Sequence, residues 1–297
     1  MITDFYLFES KGVPDDILNF IENIISNDII LNNDITKQYT INTKNITSTI
    51  ILNIKYIKNS NEKYKGDIEF LNAIKNNFNN VKININVESI TPIKKNILST
   101  ILHELTHLYE LYQIKDFFID TKWNRSKSLM DSKKQDKINI FRYYRDLYYL
   151  TLPQEVNARV SSVYYKLYQS DDKKIMLDEL KKTKEWCNLN NIKDFKPNEY
   201  SKNIISILGL DFTIYLINEF NNIMNIKTKV DSEIDIYNYF KKYKKYSISV
   251  YKNYKNKLLK IVDKLNENIE YLCCSDKNVI YENYIDKNAD IQINDYM

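Results

Sequence analysis

Histidine is almost missing from this chain. His103 and His107 are the only two among 297 residues, so any imidazole chemistry must come from that pair. Cysteine is nearly as scarce, with Cys187, Cys273 and Cys274 alone. They form no CxxC pair and two are adjacent, which fits free thiols in a reducing compartment better than a disulfide framework. No stretch approaches the ~20 apolar residues of a membrane span. The opening "MITDFYLFESKGVPDD" lacks the basic and apolar regions of a secretory signal. A cytoplasmic location is expected, with packaging in a virion or delivery to a host cell left open. Glycine falls to three residues while Asn, Ile, Lys and Tyr abound. That bias marks AT-rich coding and carries no chemistry. The net charge of +4 is too small to demand a nucleic-acid partner.

What is present describes a folded protein. Hydrophobic residues make up 43% of the chain, and its length allows a substantial core. "VPDDILNFIENII" (13–25) predicts a helix with Ile17, Leu18, Ile21, Ile24 and Ile25 on one stripe. Residues 39–57 are rich in Thr and Ile and predict one or two strands, with a hairpin around Lys44–Asn45. Residues 67–78 place Ile68, Leu71, Ile74 and Phe78 on a helical face, and 81–89 alternate strictly as a half-buried strand. Thr91 and Pro92 then open a helix that should run to Ile114. Residues 120–137 read as a polar loop. From Ile138 to Cys274 the chain reads as successive helices, with breaks near Asp171, Asn190–Pro197 and Lys227–Asp231, ending in one long helix over 233–272. The expected fold is α+β. An N-terminal α/β subdomain (1–119) carries a small sheet, the polar loop (120–137) follows, then a mostly helical subdomain (138–274) and a polar C-terminal tail (275–297).

The two histidines fall in "TILHELTHLYE", from Thr100 to Glu110. A helix turns 100° per residue, so residues i and i+4 lie one turn apart on one face and two imidazoles can converge on one metal ion. Glu104, beside the first histidine, points to the flank, where it can accept a proton from an activated water instead of binding metal. Two neutral imidazoles and a carboxylate suit Zn²⁺ and leave a fourth position for water. The simpler alternative is a structural helix bearing two solvated histidines. Random placement of two histidines gives this arrangement only roughly a few times in ten thousand. Uncharged flanks, with Leu98, Ile101, Leu105, Leu108 and Tyr112 as the opposite, core-facing stripe, favour the metal.

"HELTH" with uncharged flanks, following an alternating strand, resembles the zincin metallopeptidases. The resemblance covers roughly residues 39–160, in the order strand, helix, strand, active-site helix. It implies a zinc-dependent peptide hydrolase with His103 and His107 as metal ligands and Glu104 as general base. It also implies that strand 81–89 lies near the edge of the cleft, along the path of a substrate that adds as an extra strand. A third protein ligand is required. With no further histidine and no HExxHxxGxxH extension, a metzincin-type site is excluded and Glu, Asp or Cys must serve. Glu155 in "LTLPQEVNARVSSVYY" (150–165) is the first choice. Thr151 and Gln154 have capping-box spacing, Pro153 favours the first helical turn, and Ala158 and Ser162 are small enough to let this helix lie against the motif helix. The segment is similar to that of gluzincins, where a downstream helix supplies Glu. Here Gln154 stands in place of Asn, and Arg159 in place of the acid found at i+4 in thermolysin-like members. Read without the resemblance, Glu155 and Arg159 form an i,i+4 surface salt bridge.

Glu110 is an alternative ligand, although one helix presenting all three donors is strained. It and Asp146 fit better as groups supporting the ligands. Glu179 and Glu185 look solvated. An oxyanion donor must be Tyr or Arg. Tyr143, Tyr144, Tyr148, Tyr149, Tyr164 and Tyr165 flank Glu155, and residue type alone chooses none of them. All four arginines, Arg125, Arg142, Arg145 and Arg159, lie between the motif helix and just beyond Glu155. Arg142, Arg145 and Arg159 are candidates for substrate or structural ion pairs. The Lys/Tyr interleaving of 239–257 reads as a tyrosine core with a solvated lysine face, not as a nucleic-acid surface. The sequence therefore leads to a zinc metalloprotease, a hydrolase of peptide or protein substrates. Two alternatives stand beside it: a zinc hydrolase with a non-peptide substrate, and a non-catalytic zincin-like structural or interaction protein such as a virion component.

Overall fold

A computed structural model describes residues 15–42, 47–58, 63–69, 80–114, 125–126, 128–129, 138–167, 170 and 172–273. The fold is α+β, a four-stranded mixed sheet followed by a mostly helical remainder. Helix α1 (Asp15–Phe20) continues through a π-helical stretch (Ile21–Ile25) and a short α-helical turn (Ser26–Asp28). The wider π turn keeps Ile17, Ile21 and Ile25 buried and rotates Ile24 into solvent, a correction to the expected stripe.

The strands are β1 (Ile35–Asn42), β2 (Thr47–Ile57), β3 (Lys63–Ile68) and β4 (Asn80–Glu88), in spatial order β1-β2-β4-β3. β1 and β2 pair antiparallel as the predicted hairpin, whose turn lies outside the described residues. β4 runs parallel to β2, placing Ile50 beside Val81 and Ile54 beside Ile85. Ile50, Leu52, Ile54, Val81, Ile83, Ile85 and Val87 form the buried face. On the other face Asn53 Nδ2 donates to Asn84 Oδ1 at 2.9 Å, and Asn84 Nδ2 donates to Asp67 Oδ2 at 3.1 Å.

Two expectations are corrected here. Asp67 and Ile68 belong to strand β3, not to a helix; residues 70–79 lie outside the described set. And strand 81–89 is not at the edge: β4 is paired on both sides, and β3 is the edge strand beside it. β3 was hidden because "KYKGDI" is short and polar and contains a glycine, the composition of a protected edge rather than of a buried strand.

Helix α2 (Lys94–Ile114) lies across the sheet and buries Ile97, Leu98, Ile101, Leu102, Leu105 and Leu108. The Tyr64 hydroxyl on β3 accepts from the Ile93 N–H at 2.9 Å, tying the start of α2 to the edge strand. The remaining helices are α3 (Asn139–Leu150), α4 (Pro153–Leu167), α5 (Lys173–Lys182), α6 (Lys184–Asp194), α7 (Pro197–Leu208), α8 (Leu210–Met224) and α9 (Glu233–Cys273). Thr151 does not cap α4. Its hydroxyl donates backward to the Tyr148 carbonyl at 2.6 Å and closes α3, so the start of α4 rests on Pro153. Tyr144 centres an aromatic core with Phe141, Phe220, Phe240 and Tyr243, and its hydroxyl bonds Tyr239 at 2.9 Å. α9 buries Ile236, Tyr239, Tyr243, Tyr254, Leu258, Ile261 and Leu265 and leaves Lys241, Lys242, Lys245, Lys252 and Lys260 exposed. No single helix of the described residues is long and apolar enough to cross a membrane; α7 and α8 pass such a test only together, across a 114° bend. Gly209 makes that bend at φ 81°, in the left-handed region that favours glycine.

Candidate metal centre

α2 meets α4 along the face that carries both histidines. Ser99 Oγ of α2 donates to the Ser162 carbonyl of α4 at 2.7 Å, and buried Ala158 and Ser162 present little bulk at this contact. The close approach lets a side chain from α4 reach the histidine pair. His103 Nε2 and His107 Nε2 stand 3.2 Å apart with their rings nearly perpendicular, at 88°. Glu155 Oε1 lies 3.3 Å from His107 Nε2. One donor atom from each of the three residues falls within 4.8 Å of the other two, a group that could hold a metal ion.

The electrostatics show what the group lacks when only protons are available. At 3.2 Å the two ring nitrogens are within hydrogen-bond distance, so one of them must carry a proton for the other to accept. Burial drives His103 down to about 3, with His107 adding to the fall, so His103 is neutral. Burial also disfavours a charged His107, but the Glu155 hydrogen bond and carboxylate outweigh it and hold its pKa up. Glu155 sits well below the usual carboxylate range: burial opposes this, and His107 and Arg159 overcome it. One proton, on His107 and facing the Glu155 carboxylate, satisfies the site. Two neutral imidazoles and an ionised carboxylate are likewise the donor set for a divalent transition metal. The residues fit such an ion.

Around this group the structure sorts the other candidates. Glu104 is buried on the flank of α2, close enough to His107 for its carboxylate to favour the charged ring. Glu110 does not join the donors. It is buried one turn further on, accepts from Asn157 Nδ2 at 2.6 Å, and burial pushes its pKa up to about 7. Lys257 of α9 in turn donates to Asn157 Oδ1 at 2.7 Å, so a buried chain links α2, α4 and α9. Asp146 is exposed and pairs with Arg145 at 2.8 Å, and Arg142 reaches Asn139 at 3.0 Å; the structure brings none of these three to the donor group. Glu185 is buried against Lys166 at 2.7 Å, which corrects the solvated reading. Arg159 does pair with Glu155, at 3.0 Å, but Glu155 is buried and Arg159 half-buried, and the same carboxylate offers its other oxygen to His107. The i,i+4 pair exists, though not on the surface, and it leaves Glu155 within reach of the histidines.

Two residues gain a role that residue type alone could not give them. The Tyr149 hydroxyl donates to Glu155 Oε1, the oxygen that faces His107. In the sequence it was one of six similar tyrosines. Gly66 of β3 lies directly against Glu104. Its signal was present, a glycine inside a strand-length segment of a glycine-poor chain, but β3 itself was not recognised.

Comparison with protein-family models, curated proteins and solved structures finds no match to this chain. Fold and site together define an α+β protein in which a His–His–Glu group, with Glu155 buried and both histidines half-buried, able in principle to bind a metal ion, joins the sheet-backed helix to the helical remainder.

Proposed function

We propose that this chain is a zinc-dependent metallopeptidase of the zincin type with a gluzincin-like ligand set: His103, His107 and Glu155. The observation that carries the reading is the approach of Glu155 Oε1, from a separate helix, to 3.3 Å from the second histidine of an HExxH helix. A divalent metal held by His103, His107 and Glu155 would supply Lewis acidity, polarising a carbonyl and lowering the pKa of water towards neutrality. Glu104, unneeded for holding a metal, takes the proton of the attacking water and returns it to the leaving amine. Tyr149, whose hydroxyl donates to Glu155 Oε1, is our candidate for the oxyanion donor, a role in which its single O–H turns from that carboxylate to the carbonyl oxygen. β3 has no second partner strand among the described residues, so its outer edge can take an extended chain beside Glu104.

The buried Glu104 favours catalysis over a purely structural metal, which needs no base beside it. The test is metal content by mass spectrometry together with turnover of a peptide library. About one zinc per chain, retained with loss of turnover in Glu104→Gln, supports the reading. Zinc without turnover on any peptide points to the non-peptide hydrolase or the structural protein. No zinc after reconstitution removes the reading.

A further inference from the structure

The two oxygens of Glu155 are not equivalent. Oε1 faces His107 Nε2 at 3.3 Å and also takes the Tyr149 hydroxyl. Oε2 is held by Arg159 Nε at 3.0 Å, one turn along α4. The Glu155 side chain is 4% exposed and the Arg159 side chain 18%, so both are largely enclosed by the fold. A free carboxylate can offer both oxygens to a metal, whereas one whose second oxygen is committed to a buried guanidinium offers one.

We propose that Arg159 is a positioning residue that confines Glu155 to single-oxygen ligation through Oε1 and, by its charge, weakens the grip of the group on a divalent cation. This rests on the metal-site reading given above. Two consequences follow. The coordination position that a second carboxylate oxygen would fill stays available for water or substrate. And a permanent cation one carboxylate away from the donors draws density from Glu155 and opposes a second cation through a weakly screened interior. Arg159 suits this role because its charge is permanent and its Nε–H is directed by a planar group; a lysine would place a mobile point charge there. Burial opposes the charge of Arg159, and Glu155 maintains it.

The experiment uses the full chain loaded with Co²⁺, read by visible absorption, and with Zn²⁺, titrated against a chelator. The wild type is expected to give the intense d–d bands of four-coordinate Co²⁺. Arg159→Gln, which frees Oε2 without adding charge, is expected to give the weaker bands of a higher coordination number and a zinc Kd lower by about tenfold. Arg159→Lys, which keeps the charge, is expected to stay within a few-fold of wild type. Wild-type binding with Arg159→Gln unchanged in both spectrum and Kd overturns the inference and leaves the metal-site reading intact. Absence of Co²⁺ and Zn²⁺ binding by the wild type overturns both. Should Arg159→Gln fail to fold, the infrared difference between zinc-loaded and chelated wild type decides: a wide separation of the asymmetric and symmetric carboxylate stretches is expected for ligation through one oxygen, and the narrow separation of a carboxylate bound through both oxygens overturns the inference.

Discussion

A β-carbon placed on Gly66 would stand 2.5 Å from Glu104 Oε1 and 2.7 Å from its Cγ. The inward face of β3 reads Tyr64, Gly66, Ile68, and the missing side chain at its centre is the space that the Glu104 carboxylate occupies. Gly66→Ala therefore displaces Glu104 without touching a metal donor. Overpacking of this kind costs about 1–3 kcal/mol. Zinc content is expected to stay at the wild-type level while peptide turnover falls by about a hundredfold, the scale of a 1 Å misplacement. Metal analysis and turnover measured on one preparation check this. Undiminished turnover in Gly66→Ala would show that Glu104 works from a position other than the one it holds against β3.

The donor group predicts unequal losses. His103→Ala and Glu155→Ala each leave two donors and are expected to weaken zinc binding by orders of magnitude. Asp146→Asn, which removes an exposed carboxylate, is expected to change zinc affinity less than twofold. Chelator competition on the three variants provides the check. Loss of zinc in Asp146→Asn with retention in Glu155→Ala would reassign the third ligand.

How much of this was legible beforehand follows from the range of the forces involved. α2, β4 and the 41-residue α9 were readable because each has a long, uninterrupted apolar period, and local periodicity is all they need. His103, Glu104 and His107 were readable because helical spacing alone brings them together. Glu155 could be nominated from its turn chemistry and its small neighbours, but its partner lies 48 positions away and only packing of α2 on α4 joins them. Nothing local announces that Lys257 reaches Asn157, 100 residues distant, or that Gly66 faces Glu104. The edge strand was lost for a related reason: a strand paired on one side needs no apolar run, so its sequence looks like a loop.

Glu110 shows the cost of burying a carboxylate. Burial pushes its pKa up to about 7, and its Oε2 has no hydrogen-bond partner among the described residues. The folded state thus binds a proton more readily than the unfolded chain, whose carboxyl titrates near 4.5. Stability from this group is present below the unfolded value and declines as pH rises through about 7. Glu110→Gln keeps an acceptor for Asn157 and cannot ionise. Its melting temperature is expected to exceed that of the wild type at pH 8 and to match it at pH 5. Thermal melts at the two pH values check this, and a lower Tm for Glu110→Gln at pH 8 would mean that the ionised carboxylate is needed.

The histidine pair would make a bound metal visible in a stability profile. In the chelated protein His103 is held down to about 3 and His107 up to about 9, against 6.5 for each when unfolded. Between about 3 and 9 the folded pair carries one proton. The unfolded pair carries two below 6.5 and none above. Below 6.5 the unfolded state binds more protons, so stability falls as pH falls; above 6.5 the folded state binds more, so stability falls as pH rises. The chelated protein should therefore gain its largest contribution from this pair near pH 6.5 and lose up to about 1.4 kcal/mol per pH unit towards pH 9. Metal ligation requires both rings neutral, which removes the folded-state proton and with it the alkaline decline. The stability gap between loaded and chelated protein is thus expected to widen as pH rises from 6.5 to 9. Melting temperatures recorded with zinc and with chelator across that range test it, and parallel profiles would place the metal away from His107.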